Sequence, residues 1–292
     1  MIIEYCDEKY PDNLREILKP PSRIYALGNI NLLDSYGIAV VGSRTNTEYG
    51  EKMCEFFTKG LVEYGLNIIS GLAIGIDSIA HETALKYSGN TVAVLPSGLN
   101  NIYPSVNKEL ARRILKNDGT IISEYSNETK ADSNKFRERN RLIAGLAIGT
   151  LVIEAGIYSG TSITARITKS LNKNVFALPS NLDSKKGKTT NELIKKGAKL
   201  VTCVEDIINE YSELKLIKRE KNKKVESIQV SKELKDVYNC ILKIPKDINT
   251  IARELNRNIN EINYKIMMLE LDDKIQELPG QRFIVKEEVN DD

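Results

Sequence analysis

The sequence predicts an α/β protein, a doubly wound parallel sheet with a second, small domain behind it. Three observations carry the prediction. Between residues 37 and 211, short apolar runs rich in β-branched residues alternate with helical patterns, which implies parallel strands buried on both faces. Turns rich in glycine and small hydroxyl residues follow several of those runs, at the sheet edge where open α/β folds hold ligands. After residue 230 the pattern changes to helices followed by two short strands.

Residues 1–36 are expected to form an arm, because Tyr10-Pro11, Pro20-Pro21 and Gly28-Asn29 punctuate them and leave one short helix at Asp12–Leu18. Ile38-Ala39-Val40-Val41 is too short for a helix and suits a strand. Further strands are expected at 66–69, 91–95, 120–123, 149–154, 174–178 and 199–202. Helices are expected near 48–64, 77–87, 105–117, 136–147, 160–171, 189–196 and 204–211. Residues 37–211 therefore make the doubly wound domain. The stretch 212–230 carries an excess of lysine and arginine with little apolar periodicity, and reads as a solvated basic linker. Residues 231–288 offer helices at 231–243, 247–255 and 260–272, then strands at 274–278 and 282–286 around Pro279-Gly280. That is the element order of a winged helix-turn-helix.

At 292 residues, with 41% hydrophobic and 28% charged content, the chain can bury a full core and has an ordinary globular balance. No apolar run approaches the roughly 18–20 residues that cross a bilayer. MIIEYCDEKY lacks a basic stretch followed by an apolar core, so a cytoplasmic location without membrane contact is expected. Cys6, Cys54, Cys203 and Cys240 lie far apart without a CxxC pair, and His81 is the one histidine. Neither a metal site nor a disulfide framework is expected. The net charge of +2, from 42 basic and 40 acidic residues, argues against coating nucleic acid by bulk charge and leaves room for a local basic footprint.

The chemistry-bearing positions cluster at the turns. Gly42-Ser43-Arg44 ends the first central strand. With an arginine in place of a third glycine, it suggests an anion held by a side-chain fork as well as by backbone amides. Ser70-Gly71 opens a second such turn, which runs through Gly75 to Asp77, a candidate N-cap. His81 lies one turn further on without a nominated nucleophile, so packing is expected of it rather than catalysis. In Phe136–Leu146, Arg137, Arg139 and Arg141 crowd the start of a helix. Cations there oppose the macrodipole by several tenths of a kcal/mol, a cost that a bound anion would relieve. Arg137 and Arg141 share a face, and Arg139 points elsewhere. A third turn, Glu154–Thr161, brings Ser159 and Gly160, so that three turns make a crest of amide donors suited to phosphate. Gly187-Lys188-Thr189 imitates a phosphate-binding P-loop, yet that pattern needs glycine where Leu182 stands. ATP hydrolysis is not expected, and Lys185, Lys186 and Lys188 are left as phosphate contacts.

Together, GSR at 42–44, SGLAIGIDSIAH at 70–81, LPSGLNNIYPSVNKEL at 95–110, SE at 123–124, FRERNRLIAGL at 136–146, VIEAGIYSGTSITA at 152–165 and GKTTNELIKKGA at 187–198 resemble the motifs of the DNA-processing protein A (DprA/Smf) family, in order. The resemblance covers residues 10–200, and the C-terminal segment resembles the winged-helix domain many members carry. It implies a Rossmann-like domain that dimerises, in a non-catalytic protein without a cofactor. It implies single-stranded DNA as ligand and the RecA recombinase as partner, with the protein protecting incoming DNA and loading RecA in natural transformation. It also implies that Arg44 grips backbone phosphate and that Arg139 and Arg141 line the same pocket, with Phe136 as a base-stacking surface. The expected DNA-binding set is Gly42, Ser43, Arg44, Ser70, Gly71, Phe136, Arg139, Arg141, Ser159, Gly160, Lys186 and Lys188, with no catalytic or metal-ligating residue. The chain departs from the family pattern at Pro96-Ser97-Gly98 and Pro179-Ser180, and many relatives carry a helical domain where 36 residues stand here.

The alternative is a nucleotide-binding, phosphoribohydrolase-like enzyme, from a related Rossmann-like group that shares an arginine-bearing helix followed by a glycine turn. Its Gly-Gly-x-Gly-Thr-x-x-Glu pattern places a catalytic carboxylate where this chain has Thr164, and Tyr158-Ser159 replace the paired glycines. The non-catalytic reading is therefore preferred. With no tryptophan and five phenylalanines, backbone contacts are expected to dominate and sequence preference to be weak. On the last predicted helix, Lys265 is outweighed by Glu261, Glu270, Asp272 and Asp273, which favours a protein partner over duplex DNA.

Overall fold

A computed structural model describes residues 1–156, 160–212, 214, 233–242, 245–272 and 274–285. The chain divides into two units, Met1–Arg219 and Glu220–Asp292. The first unit runs β1 (Ile2–Glu4), α1 (Asp12–Arg15), β2 (Arg23–Gly28), β3 (Gly37–Val41), α2 (Glu48–Glu63), β4 (Asn67–Ser70), α3 (Ile76–Lys86), β5 (Thr91–Val94), α4 (Lys108–Lys116) and β6 (Thr120–Ser123). It continues with α5 (Ser133–Leu146), β7 (Gly149–Val152), α6 (Gly160–Ser170), β8 (Asn174–Ala177), α7 (Lys188–Lys195), β9 (Lys199–Leu200) and α8 (Glu205–Ile208).

These strands form one sheet in the order β1-β2-β6-β5-β4-β3-β7-β8-β9. From β6 across to β9 every pairing is parallel. The chain lays β4, β5 and β6 on one side of β3, and then β7, β8 and β9 on the other. Winding therefore reverses between β3 and β7, which opens a crevice at their carboxyl ends.

Alternation along the strands builds the two cores. Ile38 and Val40 of β3 pack with Phe57 and Leu61 of α2, while Ala39 and Val41 face Leu142, Ile143 and Leu146 of α5. Burial of each large aliphatic side chain contributes about 1.5–3 kcal/mol, so a strand apolar on both faces is fixed in register.

The first 36 residues, expected as an arm, instead extend the sheet. β1 pairs antiparallel with β2 through Ile3 and Ile24, and β2 pairs antiparallel with β6 through Tyr25 and Ser123. Along β2, Ile24 and Ala26 are buried while Arg23 and Leu27 are exposed, the period of two that a half-covered strand requires. Tyr10, Leu14 and Ile17 join the same core as α5. Gly145 permits that approach, since a Cβ there would lie 2.5 Å from Ile17 Cγ2 and 2.8 Å from Leu14 Cδ2. The N-terminal segment thus holds in place the helix that carries Phe136 and the arginines.

The expected linker at 212–230 lies outside the described residues, but for 212 and 214. In the second unit, helices Lys235–Cys240, Ile248–Leu255 and Ile259–Leu271 pack over Val237, Ile251, Ile262, Leu269 and Phe283. Strands Ile275–Leu278 and Arg282–Val285 pair antiparallel, and the short strand Lys246–Asp247, absent from the sequence reading, adds to Arg282–Val285. Lys265 is buried, 2.8 Å from Asp236 and 3.4 Å from Glu261. It is therefore not a surface cation, and Glu261 is not a free anion.

Candidate nucleic-acid interface

The crevice between β3 and β7 widens into a cleft of about 760 Å³. One wall comes from the turn after β3, where Val41 leads into Gly42, Ser43, Arg44 and Thr45. A second comes from α5, through Phe136, Arg137, Asn140 and Ile143, and a third from the start of α6, through Gly160, Thr161 and Thr164. Lys186 closes the rim and Tyr103 leans in from the loop after β5.

The turn after β3 is held from three directions. Ser43 O accepts from the Ile76 amide at 3.1 Å, and Gly42 O accepts from the Thr161 hydroxyl at 3.0 Å. Gly75, at φ +82°, lies against the backbone of Ser43 and Arg44. A Cβ on Gly75 would sit 2.3 Å from Ser43 O, so both the left-handed conformation and the contact require glycine. Ser43 is buried, and its hydroxyl oxygen accepts from the Thr45 amide and from Lys186 Nζ, each at 3.2 Å. Lys186 Nζ also donates to the Thr45 hydroxyl. The exposed Arg44 side chain lies over Phe136, its guanidinium carbon 4.7 Å from the ring centroid.

The expected crest of amide donors is largely filled by the protein's own carboxylates. Asp77 is not the N-cap of α3, a place taken by Gly75. Its carboxylate reaches back instead to the amide of Gly71 at 3.1 Å and that of Ala73. Burial pushes the Asp77 carboxyl above the ordinary range, and the nearby Arg139 charge and these amides oppose the shift. Glu154 does likewise at the start of α2, accepting from the Thr47 amide at 3.0 Å and from the Thr47 hydroxyl. Of the three helix N-termini, that of α6 is the one that lines the cleft, through Gly160 and Thr161. Side-chain cations must therefore carry most of any anion contact.

The three arginines of α5 have three different fates. The helix begins at Ser133, earlier than expected, and Asp132 caps it by accepting from the amides of Asn134 and Lys135 at 2.9 and 3.1 Å. The arginines thus stand beyond the first turn, and the expected macrodipole conflict does not arise. Arg137 is exposed and lines the cleft. Arg139 is 3% exposed at the cleft floor, donating to the carbonyls of Gly71 and Val94. Burial lowers its pKa to about 10, which leaves it charged at neutral pH. Gly71 makes room for it, since a Cβ there would lie 2.4 Å from Arg139 Nη1. Arg141 lies outside the cleft lining and pairs with Glu124.

Of the remaining expected residues, Gly42, Ser43, Arg44, Phe136, Gly160 and Lys186 come together at the cleft. Ser70 does not, because it is buried and donates to Val40 O at 2.7 Å. Gly71 lies beneath the floor, and Lys188 is exposed at the first turn of α7, off the lining. Ser159 lies outside the described residues. Sequence reasoning missed Tyr103, Asn140 and Thr161, and left Arg137 out of the binding set. Phe136, Asn140 and Ile143 are spaced i, i+4, i+7 on one helix face, a signal present in the sequence; Tyr103 had none.

His81 is fully buried, with Nδ1 2.7 Å from the Thr91 hydroxyl, which itself donates to Ile68 O. Burial, with the Arg139 charge adding to it, lowers its pKa to about 3, in keeping with a packing role. No group of three or more potential metal ligands occurs among the described residues, and no helix among them is long and apolar enough to cross a membrane.

A family model described as DNA recombination-mediator protein A matches residues 1–212. The chain is 39% identical over 207 residues to Protein Smf of Escherichia coli (strain K12), covering 71% of this chain and 55% of that protein. It is 40% identical over 205 residues to DNA processing protein DprA of Streptococcus pneumoniae (strain ATCC BAA-255 / R6), covering 70% and 72%. It thus spans little more than half the length of some curated relatives it matches. The crystal structure of the Streptococcus pneumoniae protein superposes with a TM-score of 0.70 at 38% identity, covering 73% of this chain and 74% of that one. DNA processing protein A of Helicobacter pylori, whose structure describes a single-stranded DNA binding mode, gives 0.65 at 31%, covering 72% and 94%. With the family model running through the whole α/β unit to residue 212, this chain belongs to the DNA recombination-mediator protein A (DprA/Smf) family.

Proposed function

We propose that this protein binds single-stranded DNA in the cleft between β3 and β7 and acts without catalysis, as a recombination mediator. The observation that carries this reading is the convergence of Arg44, Arg137 and Lys186 on one open cleft, while Asp77 and Glu154 spend their charge on backbone amides. Such a groove attracts a phosphate backbone, and Phe136 and Tyr103 offer apolar surface to unpaired bases. The binding mode named for the Helicobacter pylori relative supports the same ligand. Delivery of the strand to the RecA recombinase, protection of incoming DNA, homodimer formation and a cytoplasmic location belong to the proposal through family membership. We assign the C-terminal unit a winged-helix organisation and a protein-docking role, since its last helix exposes Tyr264, Met267 and Leu271 at i, i+3, i+7.

The test is binding of labelled oligothymidine and of duplex of equal length by the full chain, across salt. Single strand should bind at least about tenfold tighter, a difference of roughly 1.4 kcal/mol. Equal affinity for the two would defeat the reading.

A further inference from the structure

We infer that Tyr103, and not Phe136, presents the stacking face for an unpaired nucleobase in this cleft, with Phe136 serving as its anchor. The inference rests on the single-strand reading above. It begins from what already covers Phe136. That ring is half-buried, and the Arg44 guanidinium lies on it at 4.7 Å. Tyr103 meets it at a centroid distance of 5.5 Å and an interplanar angle of 71°. A base stacked on the covered face of Phe136 would have to displace Arg44, a cation the same strand needs for its phosphate. Tyr103 carries no such conflict. Its ring is 48% exposed and stands at the cleft mouth.

The loop that holds Tyr103 is fixed at both ends. The Ser97 hydroxyl donates to Asn101 O at 2.6 Å, and the Gly98 and Asn100 amides donate to Thr129 O and Asn127 O at 2.8 and 3.1 Å. Gly98 is pressed so close to the neighbouring loop that a Cβ would lie 2.0 Å from Ser126 O. Beyond Tyr103, the buried Asn107 amide donates to Leu72 O at 2.9 Å. A half-exposed ring on a fixed loop is an organised platform, and a tyrosine with two rotatable bonds gives up little freedom on binding. A base can reach that ring only when it is unpaired. Selectivity for single strand over duplex therefore comes from Tyr103, while Arg44, Arg137 and Lys186 bind charge common to both. The ligand feature read is the π-face that all four bases share.

The experiment compares oligothymidine with an abasic strand of the same length and phosphate number, using the full-length chain. Tyr103→Leu should weaken oligothymidine binding by roughly 5- to 100-fold, the range for one lost base–aromatic stack. Its affinity for the abasic strand and its salt slope should match the parent's, and Tyr103→Phe should retain oligothymidine binding. Two results would overturn the inference: oligothymidine affinity unchanged in Tyr103→Leu, or an equal loss for both strands. Failure of the underlying reading looks different, because Arg44→Ala would then bind oligothymidine as the parent does.

Discussion

Replacing Arg139 by methionine keeps the length of the side chain and removes its charge from the floor of the cleft. The lost interactions are the charged donations to Gly71 O and Val94 O and the Nε contact to Asn140 Oδ1 at 3.3 Å. Two buried carbonyls lose their donors, and Asp77 loses the cation that offsets its burial. Charged hydrogen bonds contribute about 1.5–3 kcal/mol each, and an uncompensated buried charge costs several more. Relaxation recovers part of this, so the net destabilisation should be roughly 3–5 kcal/mol at neutral pH. For a unit of this size that is a fall in melting temperature of roughly 6–20 °C.

The effect should depend on pH through Asp77. Its folded-state pKa is raised above the unfolded value, so the protonated carboxyl favours the folded state. The stability it contributes is present below the unfolded pKa and is lost as pH rises through the folded one. Without Arg139 the folded pKa rises further, and the loss deepens toward neutral pH. Melting followed by circular dichroism should therefore show a larger deficit at pH 8 than at pH 5. Arg139→Met/Asp77→Asn should flatten that dependence. An unchanged melting temperature, or a deficit identical at both pH values with and without Asp77, would refute the argument.

Gly75→Ala forces a side chain into a residue at φ +82° whose Cβ would meet Ser43 O at 2.3 Å. We expect a destabilisation of at least about 1–2 kcal/mol by melting and weaker oligothymidine binding, because the clash moves Arg44. Arg141→Met removes the partner of Glu124, and should lower the melting temperature while leaving single-strand affinity as it was. Arg137→Ala should do the reverse, preserving stability and reducing the salt slope by roughly 0.7 for one lost phosphate contact.

The parallel strands were legible because residues such as Ile38–Val41 are apolar on both faces, a pattern that survives any tertiary context. β1 and β2 were not, since each is short and half-covered, and β2 finds its partner about 95 residues away in β6. The start of α5 was readable in principle, as Asp132 is a sound N-cap, but the apolar residues that drew attention begin at Phe136. At the site, Arg44 and Lys186 could be named from their turns because an exposed cation at a strand end has few other uses. Arg139 looked the same in sequence. Its burial depends on the carbonyls of β4 and β5 converging beneath α5, which local spacing does not encode. The occupation of amide donors by Asp77 and Glu154 is likewise a tertiary fact, and it turns the site from a backbone cradle into a cluster of side-chain cations.

The account stands or falls on Arg44. Titration of full-length Arg44→Ala with labelled oligothymidine at several salt concentrations measures its role most directly. The side chain is exposed and has Phe136 as its ring contact, so the variant should melt as the parent does. Loss of one charged phosphate contact, about 1.5–3 kcal/mol, should weaken binding by roughly 10- to 150-fold and reduce the salt slope by roughly 0.7. A folded Arg44→Ala protein with unchanged affinity and unchanged slope would show that the strand does not enter the cleft between β3 and β7.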